Sequence, residues 1–284
     1  MASSTATSKI STHARSISLP SRSHPTTATA EESLCRFRAS EATSSISHKF
    51  SVLCELYENL SDMILLPLTQ QSLSHVENAN SVEKVLDGSL QLLDVCGASK
   101  DVLSLMKEGG QELGSSLRRR KFGDSEHECF NNSRKNVIKL SQKSLEILKK
   151  NKKKSSVEGQ AQGHPSLIKM LREAEAACLS VFKSLLLVVS RSNSESKSLV
   201  SKFIRSKHVA CDEEELYNSE MEKIDSALDS LRKSSKTNNT VQVQNLQKQL
   251  EAFELRVQNL EKGVESLFRH LMRIRVSLLN ILNH

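Results

Sequence analysis

Glycine, proline and large aromatics are scarce in this chain: 9 Gly, 4 Pro, 8 Phe, 2 Tyr and no Trp among 284 residues. Sandwiches and barrels need a turn about every eight to twelve residues and favour aromatic and β-branched strands, so this composition is too poor in both to build them. Long apolar runs are missing too. The longest, Leu185 to Val189, falls far short of the roughly 20 residues that cross a bilayer, which excludes a helical span but not a protein lying on a membrane surface. The six cysteines (Cys35, Cys54, Cys96, Cys129, Cys178, Cys211) form no C-x-x-C pair and several fall at apolar helical positions. They read as reduced, mostly core residues of a reducing compartment, with the cytoplasm expected first and plastid, nucleus or a peripheral membrane site left open.

Signatures of chemistry are equally sparse. His127, Glu128 and Cys129 are adjacent, but zinc needs three or four ligands at compatible spacing and no second Cys or His pair lies nearby, so an exposed loop is expected there. No glycine loop suited to cradling phosphates occurs, and no Gly-rich turn presents a cysteine nucleophile. Neither catalysis nor a cofactor nor a metal is expected.

What is present is an ordinary globular balance, 37% apolar and 26% charged, arranged at helical pitch. Residues 1 to 30 are rich in Ser and Thr, with no acid before Glu31. Such a stretch buries too little apolar surface to offset its ordering entropy, so a flexible regulatory or targeting tail is expected; chloroplast transit peptides share the composition. Residues 31 to 284 read as a bundle of five or six long helices. Ile46, Phe50, Leu53, Tyr57, Leu60 and Ile64 share one face up to Pro67. A second helix over about 81 to 118 carries Val82, Leu86, Leu93, Cys96, Leu103, Met106, Leu113 and Leu117, with Gly97 and Gly109-Gly110 as weak points. A third, about 131 to 150, sets Val137, Ile138, Leu145 and Leu148 opposite a basic stripe at Lys135, Lys139 and Lys143.

Residues 151 to 165, NKKKSSVEGQAQGHP, are polar and Gly-containing and read as a basic loop or linker, with Pro165 suited to open the next helix. That helix aligns Leu167, Leu171, Ala174, Cys178, Val181, Leu185 and Val188, and its all-round apolar run at 185 to 189 places it at the bundle centre. A short apolar piece, Leu199 to Ile204, precedes a helix from Asp212 to about Lys233. The last helix has the most regular pattern: Val243, Leu246, Leu250, Phe253, Val257, Leu260, Val264, Leu267, Leu271, Ile274, Leu278 and Ile281 alternate steps of three and four. This is a coiled-coil seam. Its first half is expected to pair with the helix from Asp212 as an intramolecular hairpin, favoured over a homodimer by the short connecting loop; its second half, widened by Phe268 and Leu282, is expected to be buried.

Two features point to partners. Arg15, Ser18 and Pro20 sit in RSISLP, a spacing that suits a basophilic kinase and then a phosphoserine-binding adaptor. Between Arg118 and Lys154 there are 13 Lys or Arg against 4 Asp or Glu, concentrated at Arg118, Arg119, Arg120, Lys121 and at Lys149, Lys150, Lys152, Lys153, Lys154. Such a basic patch docks on an anionic membrane surface or an acidic partner, or simply solvates a face. Nucleic acid ranks last, because no aromatics interleave with the lysines to stack bases.

The text ARSISLPSRSHP (Ala14 to Pro25), followed by Glu31-Glu32 and an amphipathic helix, resembles the plant BYPASS-like family. NLSDMILLPLTQQSL (Asn59 to Leu73), VEKVLDGSLQLLDVCGASKDVL (Val82 to Leu103) and the terminal Leu-rich helix extend the resemblance over nearly the whole chain. It implies a helical, plant-restricted protein linked with root and shoot development, and supplies no catalytic residues. The expectation is a non-enzymatic scaffold with protein partners at its apolar helix faces, or alternatively a peripheral membrane protein.

Overall fold

A computed structural model describes residues 25–40, 44–119, 122–155, 166–190, 212–233 and 239–283. Among these residues the chain forms eight helices and no strand: α1 (Pro25–Ser40), α2 (Ile46–Ile64), α3 (Pro67–Ser74), α4 (Val76–Arg118), α5 (Asp124–Ser155), α6 (Ser166–Ser190), α7 (Asp212–Lys233) and α8 (Asn239–Asn283). The all-α fold read from the sequence is therefore the fold observed. The boundaries follow local chemistry. Ser45 caps α2, its hydroxyl accepting from the His48 N–H at 3.1 Å. Pro67 crowds the residue before it, so Leu66 is extended (φ −67°, ψ 132°), α2 stops, and Pro67 opens α3 where its missing N–H is no loss.

Four helices close a ring in the order α2, α8, α4, α6, each packing on the next and α6 returning to α2. Lys107 of α4 meets Glu261 of α8 at 2.8 Å, and Arg275 of α8 donates to Ser89 of α4 at 3.0 Å, so these two run antiparallel. A Cβ on Gly263 of α8 would lie 3.0 Å from Phe50 of α2, and Cys54 of α2 bonds to Ser266 of α8, so α2 and α8 run parallel. Phe50 meets Phe182 of α6 edge to face at 5.4 Å, and Tyr57 meets Cys178, which makes α6 antiparallel to α2. Around the ring, α1 covers α2 and α6, α5 covers α4 and α6, α7 lies on α8, and α3 links α2 to α4 while touching α8.

The seam of α8 faces inward: Leu246, Leu250, Phe253, Val257, Leu260, Val264, Leu267, Leu271, Ile274 and Leu278 are buried, with Val243 and Ile281 partly so. Its partners are chiefly α4 and α2, with α7 a third. The C-terminal hairpin is thus one side of a larger packing, held by Arg256 of α8 and Glu220 of α7 at 2.7 Å. The apolar faces read for α2, α4 and α6 are buried as well, Leu93 being only partly covered. In α6 Leu185, Leu186, Val188 and Val189 are buried, on a helix that packs against α1, α2, α4 and α5 along its length.

Several details differ from the sequence reading. Helix α1 begins at Pro25, taking in the last six residues of the expected tail, and Ala30 is fully buried. Helix α5 begins at Asp124 and continues through Asn151, Lys152, Lys153 and Lys154 to Ser155, residues expected in a loop. Gly109 and Gly110 do not weaken α4. A Cβ on Gly109 would lie 2.7 Å from the Ser133 hydroxyl of α5, and one on Gly110 3.4 Å from the Phe253 ring of α8, so their bareness lets three helices approach. Phe268, expected in the core, is 40% exposed. The apolar piece at 199–204, Cys211 and most of the loop KSSKTNN at 233–239 lie outside the described residues.

Candidate interaction surfaces and a buried carboxylate

Helix α5 carries the charge that the sequence singled out. Gly123 donates its N–H to Glu126 Oε2 at 3.0 Å, a capping-box bond that, with Asp124, places acid at the positive end of the helix. His127, Glu128 and Cys129 therefore lie on the first turns of a helix, not in a loop. On the inner face Phe130, Val137 and Leu145 are buried against the bundle. The intervening Ser141 and Ser144 turn their hydroxyls back to the Val137 and Leu140 carbonyls at 2.8 and 2.9 Å, which removes the cost of burying them. Arg134 pairs with Asp225 of α7 and lies 5.8 Å from the Phe130 ring centre.

Lys135, Lys139, Lys143 and Lys150 recur at steps of four, four and seven, so they line one exposed face with Ile147 among them. The expected basic patch is correspondingly elongated. Arg118 and Arg119 are exposed where α4 ends, and Lys149 and Lys150 are exposed toward the far end of α5, roughly 40 Å along it at the helical rise; the side chains of Lys152, Lys153 and Lys154 lie outside the description. The stripe of Lys135, Lys139 and Lys143 runs between them, making a band instead of a single cluster. Arg120 and Lys121 lie outside the described residues, as do Arg15, Ser18 and Pro20.

The ring interior holds groups that the sequence reading did not single out as a set. Cys54 and Tyr57 of α2, Cys96 of α4, and Cys178 and Glu175 of α6 act on one another electrostatically. Burial pushes the Cys96 thiol up to about 12, and raises Cys178 and Tyr57 well above their ordinary values. The Tyr57 hydroxyl donates to the Cys178 sulfur, which satisfies a polar atom in an apolar interior. Glu175 is the exception in kind. Its carboxylate occupies the space that a side chain on Gly88 of α4 would fill, and burial raises it to about 7 against the opposing pull of Arg172.

No group of three or more His, Cys, Asp or Glu side chains among the described residues is placed to hold a metal ion. No described helix is long and apolar enough to cross a membrane.

These observations define an all-α bundle with an apolar interior and charged outer helix faces. The family model described as Protein BPS1 matches residues 49–281, and the chain belongs to that family, the BYPASS-like plant family that its sequence resembles. No curated protein and no solved structure matches the chain.

Proposed function

We propose that this BPS1-family chain is a non-enzymatic regulatory scaffold of plant root and shoot development that works through helix-mediated protein contacts. Family membership supports the developmental setting. The scaffold reading rests on one observation: the Cys96 and Cys178 thiols, the Tyr57 phenol and most seam residues are consumed by internal packing, while Cys35 and Cys129, expected in the core, are exposed and the ordered surface offers long helix faces. A seam already buried within its own chain is not the partner surface, so the contacts fall on outer faces, first the basic band of α5. The test is restoration of root and shoot growth in a plant lacking the gene. The wild-type chain restores growth, and Lys135→Glu, Lys139→Glu, Lys143→Glu together fail while keeping a wild-type circular dichroism spectrum. Full rescue by every folded surface variant contradicts the scaffold reading.

A second reading, docking on anionic lipid, is favoured by the exposed lysine stripe with Ile147 between Lys143 and Lys150. Basic residues near such a surface contribute about 1 kcal/mol each, and the attraction is screened by salt. Sedimentation with phosphatidylserine vesicles that weakens on changing Lys135, Lys139 and Lys143 to Gln supports this reading. Binding indifferent to both those changes and salt contradicts it.

A further inference from the structure

In the C-terminal half of α8, four large apolar side chains are left facing water: Phe268 (40% exposed), Met272 (40%), Val276 (49%) and Leu279 (37%). Their spacing of four, four and three keeps them on one side of the helix. That side adjoins α4, because Arg275, one helical step from Met272 and Leu279, reaches across to the Leu86 carbonyl and to Ser89. Next to Ser89 on the outer flank of α4 stands Leu90, 48% exposed, and two turns on is Gly97, beside which there is open space. The flanks of two antiparallel helices thus form one apolar strip on the order of 400 Å², the size of the largest patch on an ordinary monomer, so its charged rims carry the argument for what it meets.

The rims of the strip carry opposite charge. Beyond the strip on α8 lie exposed Lys262, Arg269 and Arg273, with Glu265 paired to Arg269 at 2.6 Å. Beyond it on α4 lie exposed Asp94, Asp101, Glu83 and Asp87, with Lys100 near Glu265. A surface with a basic border on one side and an acidic border on the other is complementary to itself under a two-fold axis running along the helices. That axis sets the basic rim of α8 against the acidic rim of α4 in a second copy, whereas an axis across the helices would set α8 against α8 and oppose like charges.

We propose that this α4–α8 face is the interface of an isologous homodimer. Only the scaffold's outer surface is involved, so the proposal stands apart from the basic band of α5. The experiment is sedimentation equilibrium of the full chain at micromolar concentration, with circular dichroism on every variant. The wild type sediments as a dimer. Met272→Glu with Val276→Glu gives a folded monomer, as does Arg269→Glu with Arg273→Glu. Adding Asp94→Lys and Asp101→Lys to the latter pair restores the dimer, since reversed rims again face each other. A monomeric wild type, or a dimer that ignores the strip, overturns the proposal; so does a strip variant that stays dimeric but loses vesicle binding.

Discussion

A Cβ placed on Gly88 of α4 would lie 2.3 Å from the Glu175 Oε2 of α6, so the glycine makes the space in which a half-buried carboxylate sits. The carboxyl is raised from 4.5 to about 7 by burial. The folded state therefore binds a proton that the unfolded state has released, and this group's contribution to stability falls as pH rises from about 4.5 to 7. Glu175→Gln should remove that loss, stabilising the protein at pH 8 by about 1 to 3 kcal/mol and leaving it nearly unchanged at pH 4.5. Urea unfolding at the two pH values checks this; a variant less stable at pH 8 would show that the charged carboxylate is a favourable part of the fold.

Gly88→Ala tests the same relationship from the other helix. The added methyl displaces the flexible end of Glu175 toward water, and the carboxyl returns toward its ordinary range. The pH dependence of stability between 5 and 7 should flatten, with a net stability change within about 1 kcal/mol, because helix propensity gained by alanine offsets the displaced contact. Unfolding curves at several pH values in this range give the slope.

Thiol reactivity should divide by place in the fold. Cys96 and Cys178 are buried with raised thiol pKa values and should label only on unfolding, whereas Cys35 and Cys129 are exposed. The carboxylate of Glu112 holds the Cys129 thiol up, its Oε2 accepting from the thiol at 3.7 Å. Glu112→Gln should speed labelling of Cys129 at pH 8 while Cys35 keeps its rate, since the thiolate is the reactive form. Peptide mass spectrometry after timed alkylation resolves the two sites.

The pair Arg256 and Glu220 joins α8 to α7, with side chains only 22% and 18% exposed. Burial raises the Glu220 carboxyl while Arg256 lowers it, so removing the arginine leaves an acid without its counter-charge. Arg256→Ala should cost about 1 to 3 kcal/mol, and Arg256→Met with Glu220→Leu should recover most of it. A double variant as unstable as the single one would mean that shape, not charge, holds α7 in place.

How much of this was legible follows from what periodicity reports. The steps of three and four from Leu246 to Leu278 mark a face that must be covered, and it is. They do not say by which helix, and α4 and α2 share that role with the α7 partner expected from proximity in the chain. Phe268 was misplaced because a wide apolar face reads the same whether its edge meets a neighbour or water. Gly109 and Gly110 look like weak points when only propensity is counted; their value appears once Ser133 and Phe253 are brought against them. Glu175 carries no local signal at all, since Gly88 and Tyr57 reach it from two other stretches of chain. The start of helix α1 at Pro25 is hidden for a different reason: its first residues are Ser- and Thr-rich and acid-free like the tail before them, so composition reads residues 25–30 as tail.

Leu271 and Met272 are adjacent on α8, one 1% exposed at the ring interior and the other 40% exposed on the outer strip. Thermal unfolding of Leu271→Asp and Met272→Asp, followed by circular dichroism at 222 nm, asks directly whether the bundle closes on the seam face. Leu271→Asp should abolish the cooperative transition, as a charge forced into the interior must, while Met272→Asp should melt within a few degrees of wild type. Equal loss in both, or the greater loss at Met272, would contradict the ring of α2, α8, α4 and α6.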